Sequence, residues 1–426
     1  MTENAPASLD PREFGAIGDG LTDDTVAWRA AVRAVAMGGV VDGGGRTYQI
    51  DQLEVDVPVT IRHAAFRRNT PGDVIHVLAD NVTLDGCTIT GAGRAVAGRS
   101  RGIVVSGVGN FALLNTVISS LDFQGVQLNN TSRFLIEGCR IHDIAYAGIM
   151  MLSSRHGVVR ANEVHSITQP DGFINSYGIT VSRTWSRSVL RAPHSEHILI
   201  LDNRVRGVRK WKGLDTHGGR FITFSGNRVT DCLVGIAAVP SKGMDGQLRH
   251  APLNCAITDN TVDALTEEGT RQQGIAVTGA TSPSGRIREP ATGSVRNNTV
   301  LRHGAASSPD SAGVLLTCTA DFEISGNTIQ ECSTAGISLL RDNQRARITE
   351  NHIIDVWSRG EPMSAAVRAH PANNSAQVEG NTLSRADKVA PMVNRVGLDL
   401  GAQNSQVQRR RNSFTAAVYP VLGARG

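Results

Sequence analysis

The stretch Trp211–Gly219 reads WKGLDTHGG and brings together residue types that can move protons. Asp215 and His217 are two residues apart, so on a β-strand both side chains leave the same face. Histidine exchanges protons near neutral pH, and a carboxylate can act as acid, base or nucleophile. Lys212 and Arg220 flank the pair and could stabilise a developing negative charge. The stretch therefore predicts a catalytic centre whose Asp215 and His217 side chains point away from the core.

The elements that must position this pair belong to a repeat that begins near residue 80. Copies such as FLIEGCRIHDIAYAGIMML and FEISGNTIQECSTAGISLL share an alternating strand, a polar step, a variable turn and a strand that begins at glycine. Units this small bury apolar residues only by stacking, which predicts the coils of a parallel β-helix. The polar step predicts a structural column made of Cys87, Asn115, Cys139, Asn162, Asn203, Asn227, Asn260, Asn298, Asn327, Asn351, Asn381 and Asn412.

One long face of the predicted β-helix is formed by outward residues of the strand after each glycine. The neighbours of Asp215/His217 on this face are Thr180/Ser182 in the coil before and Ala237/Val239 in the coil after. A second charged pair, Arg368/His370, lies five coils further on, at roughly 24 Å if coils stack about 4.8 Å apart. We interpret that pair as structural or as a distal subsite.

The N-terminal phrase EFGAIGDGLTDDTVAWRAAVRAVAMGGVVDGGGRTYQI, followed by this repeat, resembles the pectate-lyase-like superfamily of β-helix proteins. That superfamily includes polysaccharide lyases, glycoside hydrolases and phage tailspike depolymerases. The resemblance implies an all-β fold, a single-stranded right-handed parallel β-helix (a solenoid) with an N-terminal capping α-helix. We expect a helix near residues 22–37, buried through Val26, Ala30, Val32 and Val35. The paired aspartates of polygalacturonase-like hydrolases have no counterpart, so the resemblance implies no particular reaction.

The expected domain organisation is a single β-helix domain over residues 1–426. Residues 1–50 form the N-terminal segment with the capping helix, and stacked coils follow over about 51–426, with long loops at 183–197, 240–252 and 279–293. The loops are richer in basic than in acidic residues, which suits an anionic ligand. Aromatic rings near the same coils can pack against sugar faces. The candidate substrate-binding residues are Arg183, Trp185, Arg187, Trp211, Thr180, Ser182, His194, His197, Lys242 and Arg249.

These features predict a carbohydrate-active enzyme that cleaves an acidic polysaccharide by β-elimination. Elimination needs a base, positive charge for an enolate-like intermediate and a proton for the leaving oxygen. The candidates for these roles are Asp215, His217, Lys212, Tyr177 and Arg220. One alternative is a glycoside hydrolase that pairs Asp215 with a loop carboxylate from Asp171, Glu196 or Asp245, about 5 to 9.5 Å away. Two others are a non-catalytic glycan-binding or tailspike-like adhesin and, for Asp215/His217 itself, a surface ion pair.

The composition of this 426-residue chain limits the classes of partner that it is expected to bind. Its formal charge of +4 comes without a long Lys/Arg block, which argues against nucleic acid as a partner, and no apolar stretch is long enough to span a membrane. No secretory leader is recognisable, which leaves a cytoplasmic, phage-borne or leader-processed secreted protein. We expect no cofactor; Ca²⁺ is compatible with the sequence although no clear acidic cluster is present, and a metal site formed by Asp215, His217 and a loop histidine is an alternative. A homo-oligomer is compatible with the sequence, as a trimer if the protein is phage-derived.

The six cysteines lack C-x-x-C spacing and are expected to be buried free thiols.

Overall fold

The computed structural model describes residues 8–35, 38–94, 98–170, 172, 175–184, 192–243, 247–265, 272–282, 284–305, 311–357, 364–384, 395–401, 406–414 and 419–422. The chain divides into two compact units. Unit 1 comprises Met1–Thr184 and Leu190–Arg204, and unit 2 comprises Trp185–Val189 and Val205–Gly426.

Unit 1 contains two helices near its N-terminal end, a short 3-10 helix, Pro11–Phe14, and the α-helix Thr25–Ala34. The buried side of the α-helix is formed by Thr25, Ala27, Trp28, Ala31 and Val32. The expected burial of Val26 and Ala30 is therefore wrong, because both side chains are exposed, Val26 by 78%. The helix rotates so that its largest ring, Trp28, is fully buried and packs edge-on against Tyr48 and Phe66, with ring centroids 5.0 and 4.7 Å away.

Three parallel sheets build unit 1, and each complete coil contributes one strand to each sheet. The first sheet contains Ser8–Leu9, Val40–Asp42, Thr60–Arg62, Thr83–Asp85, Gly109–Leu114, Ser132–Glu137, Arg155–Arg160 and Glu196–Leu201. The second contains Asp19–Asp23, Thr47–Gln49, Ala65–Arg67, Thr88–Thr90, Val117–Leu121, Arg140–Ile144 and Glu163–Ile167. The third contains Leu53–Val55, Ile75–Val77, Arg101–Ser106, Gln124–Asn129, Ala147–Leu152 and Tyr177–Ser182. The strand Arg204–Arg206 includes the boundary between the two units.

Unit 2 repeats the three-sheet plan. Its first sheet contains Arg220–Ser225, Cys255–Thr258, Gly293–Arg296, Glu323–Ser325, Ala346–Thr349, Ala376–Glu379 and Val407–Arg410. Its second contains Arg228–Thr230, Thr261–Asp263, Thr299–Leu301, Thr328–Gln330, His352–Ile354, Thr382–Ser384 and Ser413–Phe414. Its third contains Lys212–His217, Val234–Val239, Ile275–Thr278, Val314–Thr317, Ala335–Arg341, Ser364–Ala369, Arg395–Asp399 and Tyr419–Leu422. Two antiparallel hairpins complete the unit: Ser241–Lys242 with Leu248–His250, and Ala280–Thr281 with Ile287–Glu289.

Inward side chains stack in register from coil to coil and form the core. On the third sheet of unit 1, Ile103, Val126, Ile149 and Ile179 pair in sequence, and all four are fully buried. The glycine column is explained by close backbone approach. A Cβ atom on Gly235 would lie 2.5 Å from the carbonyl oxygen of Gly274 in the next coil. Both units therefore have the expected parallel β-helix architecture, and the all-β prediction with an N-terminal helix is confirmed.

The polar column is a ladder of hydrogen bonds between buried amides. In unit 2, Asn227, Asn260, Asn298, Asn327, Asn351 and Asn381 each donate from both the backbone N and Nδ2 to the Oδ1 of the next asparagine, and Asn412 ends the series. One expected member is wrong by one residue. Asn115 is exposed, and it is the buried Thr116 whose Oγ1 accepts from the Cys87 backbone.

All six cysteines are buried and none forms a disulfide bond, as expected. Burial raises the pKa of Cys255 and of Cys332 to about 12. No helix within the described part of the chain is both long and apolar enough to cross a membrane.

Candidate functional site

The strand Lys212–His217 carries a carboxylate that bridges an ammonium group and an imidazole. Lys212 Nζ lies 3.0 Å from Asp215 Oδ1, and His217 Nε2 lies 2.7 Å from Asp215 Oδ2. Asp215 is fully buried, the Lys212 side chain is 8% exposed and the His217 side chain is 25% exposed. Of these three groups, His217 is therefore the one that a ligand can most readily touch. We call Lys212, Asp215 and His217 the charged triad.

Asp215 is ionised in spite of its burial. Desolvation by itself would raise its pKa, but the charges of His217 and Lys212 and their hydrogen bonds outweigh it and lower the pKa from 3.8 to about 2. A carboxylate held in this state fixes the orientation of the imidazole and stabilises it when it takes up a proton. The triad is thus arranged for proton exchange at His217.

The expectation that Asp215 projects toward solvent is wrong. Its side chain leaves the outward face of the third sheet, but this position is enclosed along much of unit 2. The residues paired with Asp215 in the following coils are Ala237, Ala276, Leu315, Ser338 and Arg368, and none is more than 7% exposed. Alternation along a strand fixes which way a side chain points, whereas exposure depends on what packs against that face.

Trp211 lies beside the triad, as the sequence suggested. The Lys212 Nζ atom is 5.6 Å from the centroid of the Trp211 ring, within the range of a cation–π contact. Trp211 is half-buried, so part of its ring remains accessible.

Arg220 opens the first-sheet strand Arg220–Ser225. Its Nε atom is buried and has no hydrogen-bond partner among the described residues. The role of Arg220 in charge stabilisation stays a prediction.

A hairpin borders the carboxyl end of the triad strand. His217 pairs with Val239, and the hairpin strand Ser241–Lys242 follows after one intervening residue. The contact is close at Gly218, where a Cβ atom would lie 2.8 Å from the His250 carbonyl oxygen and 2.9 Å from Ser241 Oγ. Glycine is required here both by this contact and by its φ of 65°. The hairpin therefore forms a wall next to His217.

The second hairpin packs against the first. Arg288 donates to Gln247 Oε1 at 2.6 Å and to the Leu248 carbonyl oxygen at 3.3 Å, and the Ala251 backbone N donates to Glu289 Oε2 at 2.7 Å. The exposed cations of the two hairpins are Lys242, Arg249, Arg286 and Arg288. The expected basic loops at 240–252 and 279–293 thus contain hairpins with an exposed positive surface in unit 2.

The other expected site residues with described positions belong to unit 1. Tyr177 and Thr180 are buried on the third-sheet strand, which ends at the half-buried Ser182. The Tyr177 ring packs edge-on against Tyr146, with centroids 5.6 Å apart. His194 is buried, whereas His197 is exposed and stacks on His156 at 5.2 Å.

Arg183 does not project from the surface as a loop cation would. It is 5% exposed, donates from Nε to the Ala192 carbonyl oxygen at 3.1 Å, and has its pKa lowered by desolvation. The expectation that this side chain faces solvent to attract an anionic polymer is therefore wrong. Trp185, Arg187, Asp171 and Asp245 lie outside the described residues. Glu196, the third carboxylate considered for a hydrolase, is half-buried at the start of its first-sheet strand in unit 1.

Unit 1 contains a second carboxylate that bridges an imidazole and a cation, which the sequence analysis missed. Asp73 Oδ2 lies 2.8 Å from His76 Nε2 and 2.6 Å from an Arg101 terminal nitrogen. The recognisable repeat begins with the strand that contains Gly102, and the shorter strand Ile75–Val77 precedes it. His76 pairs with Val104 in the third sheet, so extending the repeat by one coil toward the N-terminus identifies His76.

Metal binding has no support in the described ranges, where no group of three or more His, Cys, Asp or Glu residues is placed to hold an ion. Within the triad, the geometry leaves the imidazole of His217 partly exposed while Asp215 holds its orientation.

Comparison with known proteins supports the same architecture. A family model described as "Right handed beta helix region" matches residues 73–262 and 253–418. Among curated protein sequences, none matches this chain significantly.

Solved structures share the fold at low sequence identity. The Streptococcus pneumoniae surface protein and adhesin PfbA is 12% identical, with a TM-score of 0.60 and coverage of 97% of this chain and 99% of that one. The Yersinia enterocolitica family 28 exopolygalacturonase is 13% identical, with a TM-score of 0.56 and coverage of 96% and 78%. The catalytic unit of a GH87 α-1,3-glucanase from Streptomyces thermodiastaticus is 16% identical, with a TM-score of 0.56 and coverage of 97% and 70%.

Proposed function

Because this chain belongs to the right-handed β-helix family, and because its charged triad is arranged for proton exchange, we propose that it cleaves an acidic polysaccharide by β-elimination at His217. The observation that carries the proposal is the buried, ionised Asp215, which holds the partly exposed imidazole. Two enzymes that share the fold, an exopolygalacturonase and an α-1,3-glucanase, are named for carbohydrate substrates.

His217 acts as the base in the proposed reaction. Its Nε2 lies 2.7 Å from Asp215 Oδ2, and the partly exposed imidazole is the base in this proposal. The imidazole takes the C5 proton of a uronate residue, the C–H electron pair forms the C4–C5 double bond, and the C4–O bond breaks. The resulting imidazolium, stabilised by Asp215, returns a proton to the leaving oxygen.

The exposed cations of the hairpins supply the charge that an acidic substrate requires. Lys242 and Arg249 lie on the hairpin that borders His217, and both are exposed. A uronate carboxylate bound there would place its C5 proton toward the imidazole, and the bound cation would stabilise the enolate-like intermediate. Capture that depends on these cations should weaken as salt rises.

Burial of Asp215 favours elimination over the alternative of hydrolysis. A hydrolase would need Asp215 to reach the glycosidic oxygen or the anomeric carbon. With no exposed surface and both oxygens engaged by Lys212 and His217, Asp215 is suited to positioning the imidazole and not to touching the sugar.

The test is the formation of unsaturated product from a panel of acidic polysaccharides, followed by near-ultraviolet absorbance alongside a reducing-end assay. We expect wild-type protein to generate the unsaturated uronate, and His217→Gln to lower turnover by about a hundredfold or more. His352→Ala, which removes an exposed histidine from the second sheet of unit 2, is the matched control and should keep wild-type turnover. New reducing ends without absorbance would indicate hydrolysis, and full activity of His217→Gln would refute this site.

A second candidate function is glycan binding without cleavage. Two observations favour it. Lys212 and Asp215 form an ion pair with each other inside the protein, so neither charge requires a ligand, and one of the proteins with the same fold is an adhesin. This candidate predicts saturable binding of an oligosaccharide with neither new reducing ends nor unsaturated product.

A further inference from the structure

The first sheet of unit 1 has an apolar patch on its outward face. It lies on the strands Gly109–Leu114, Ser132–Glu137, Arg155–Arg160 and Glu196–Leu201. The pairing register aligns the outward residues of these strands in two columns, Ala112, Leu135, Val158 and Leu199 in the first and Leu114, Glu137, Arg160 and Leu201 in the second. We call these residues the first-sheet patch.

The apolar members of the patch are open to solvent. Leu199 is 39% exposed, and the other five are half-buried. An outward face that meets only water is usually polar, and the corresponding face of the first sheet in unit 2 follows this rule with Thr223, Ser225, Thr258, Ser294 and Arg296. A contiguous apolar area with charged residues within it is typical of a surface that binds another protein.

The charges of the patch are arranged symmetrically. Arg160 binds Glu137 through two hydrogen bonds of 2.9 Å, and this ion pair lies between Leu114 and Leu201 in the second column. The column therefore reads leucine, acid, base, leucine along the stack. Reversing its direction exchanges the acid with the base and leaves the leucines facing leucines.

This pattern is complementary to a second copy of itself. A two-fold axis that runs along the strands, midway between Ser132–Glu137 and Arg155–Arg160, reverses the order of the coils and keeps each column opposite itself. Glu137 of one copy then lies opposite Arg160 of the other, which allows a network of four alternating charges. The apolar pairs across the axis are Leu114 with Leu201, Leu135 with Val158, and Ala112 with Leu199.

A two-fold axis along the stack of coils would give a poorer match. It would keep each coil level with its counterpart and exchange the two columns. Glu137 would then lie opposite Leu135, and Arg160 opposite Val158, so neither charge would gain a partner on the other copy. Charge complementarity thus selects the arrangement in which the coils of the two copies stack in opposite directions.

We infer that the first-sheet patch of unit 1 is the interface of a two-fold symmetric dimer of this chain, with the coils of the two copies stacked in opposite directions. Sheets that pack face to face align their strands within about 30°, which this symmetry permits. Four strands of six residues cover about 380 Å² on each copy, from a spacing of about 4.8 Å and a rise of about 3.3 Å per residue. This area is below the standard of about 800 Å² per partner, so we expect a reversible dimer with a dissociation constant in the micromolar range.

The experiment is sedimentation velocity of the full-length protein over a concentration series from about 1 to about 200 μM, which brackets the expected dissociation constant. The wild type should pass from monomer to dimer. Glu137→Arg and Arg160→Glu each place like charges opposite one another across the axis, and each should weaken dimerisation by about tenfold or more.

Mixing the two charge variants tests the arrangement itself. Across the proposed axis, the two arginines of Glu137→Arg meet the two glutamates of Arg160→Glu, so an equimolar mixture should form a heterodimer although each variant alone is monomeric. The internal Glu137–Arg160 pair stays broken in both chains, so recovery on mixing cannot come from repair of that pair.

Leu199→Lys places a charge among the apolar residues of the patch and should also weaken dimerisation by about tenfold or more. Its matched control is Leu78→Lys, at a leucine of unit 1 that is 49% exposed and lies outside the first sheet, and this variant should dimerise like wild type. Circular dichroism of each variant shows that a loss of association is not a loss of fold. The inference is overturned if the wild type stays monomeric or forms a trimer, if Leu199→Lys dimerises like wild type, or if the mixed charge variants stay monomeric.

Discussion

The properties of Asp215 depend on its two partners more than on its own residue type. It is fully buried between Lys212 and His217, although the sequence places it on an outward face. The sequence could predict the direction of the side chain from the period of a β-strand. It could not predict the enclosure, because burial of an outward position depends on side chains and hairpins far away in the chain.

Asp215→Asn should destabilise unit 2, contrary to the expectation for an exposed residue. The change leaves the buried ammonium of Lys212 without a compensating charge, which costs on the order of 3 kcal/mol. Chemical denaturation followed by circular dichroism measures this loss. The double variant Lys212→Met/Asp215→Leu removes both charges and should recover most of the stability. Equal midpoints for Asp215→Asn and wild type would show that the pair contributes little.

The lowered pKa of Asp215 also gives the stability a pH dependence with a definite sign. Its folded pKa of about 2 lies below its ordinary value of 3.8, so the folded state binds the proton more weakly than the unfolded chain. The contribution of the ionised carboxylate is therefore fully present above pH 3.8 and is lost as the pH falls to about 2. The denaturation midpoint of the wild type should therefore fall relative to that of Lys212→Met/Asp215→Leu, which lacks this carboxylate, across the same interval. A constant difference would contradict the assignment.

At the scale of elements, the asparagine ladder gives each coil of unit 2 the same internal support. Asn327 Nδ2 donates to the carbonyl oxygens of Val295 and Ser325 and to Asn351 Oδ1, while its own Oδ1 accepts from Asn298. Asn327→Ala leaves several of these buried groups unsatisfied and should cost about 1–3 kcal/mol of stability. Gln377→Ala, which removes an exposed amide, is the control, and its denaturation midpoint should stay at the wild-type value. Turnover by the folded Asn327→Ala protein should also be unchanged.

How far the sequence predicts an element depends on how regular its repeat is. The strands that start at the glycine column can be predicted from the sequence, because the close approach of neighbouring backbones requires glycine at these positions and leaves no room for a Cβ atom. The Asn115 error arose where a threonine replaces asparagine, since an exposed asparagine one residue earlier imitates the pattern. The group formed by Asp73, His76 and Arg101 does not follow from the repeat, because its members lie on different coils and Asp73 lies outside the strands that define the repeat.

At the scale of the whole molecule, the six cysteines report on the integrity of both units. Cys87 and Cys139 lie in unit 1, and Cys232, Cys255, Cys318 and Cys332 lie in unit 2. All are buried, so a thiol reagent at neutral pH should leave the native protein unmodified and label all six after denaturation. Mapping the labelled peptides at intermediate denaturant would show which unit opens first. Rapid labelling of native protein at any cysteine would contradict its burial.

The uniform direction of the asparagine ladder has a consequence for how such a chain can change length during evolution. Each asparagine accepts hydrogen bonds from the coil before and donates hydrogen bonds to the coil after. Every coil of the ladder therefore presents the same acceptor to the preceding coil and the same donors to the following coil. Removal of the 24 residues that separate Asn327 from Asn351 would bring Asn298 to Asn351 with the same donors and acceptors in place. A gene encoding this ladder can therefore gain or lose whole coils by duplication or deletion without redesign of the coils that remain.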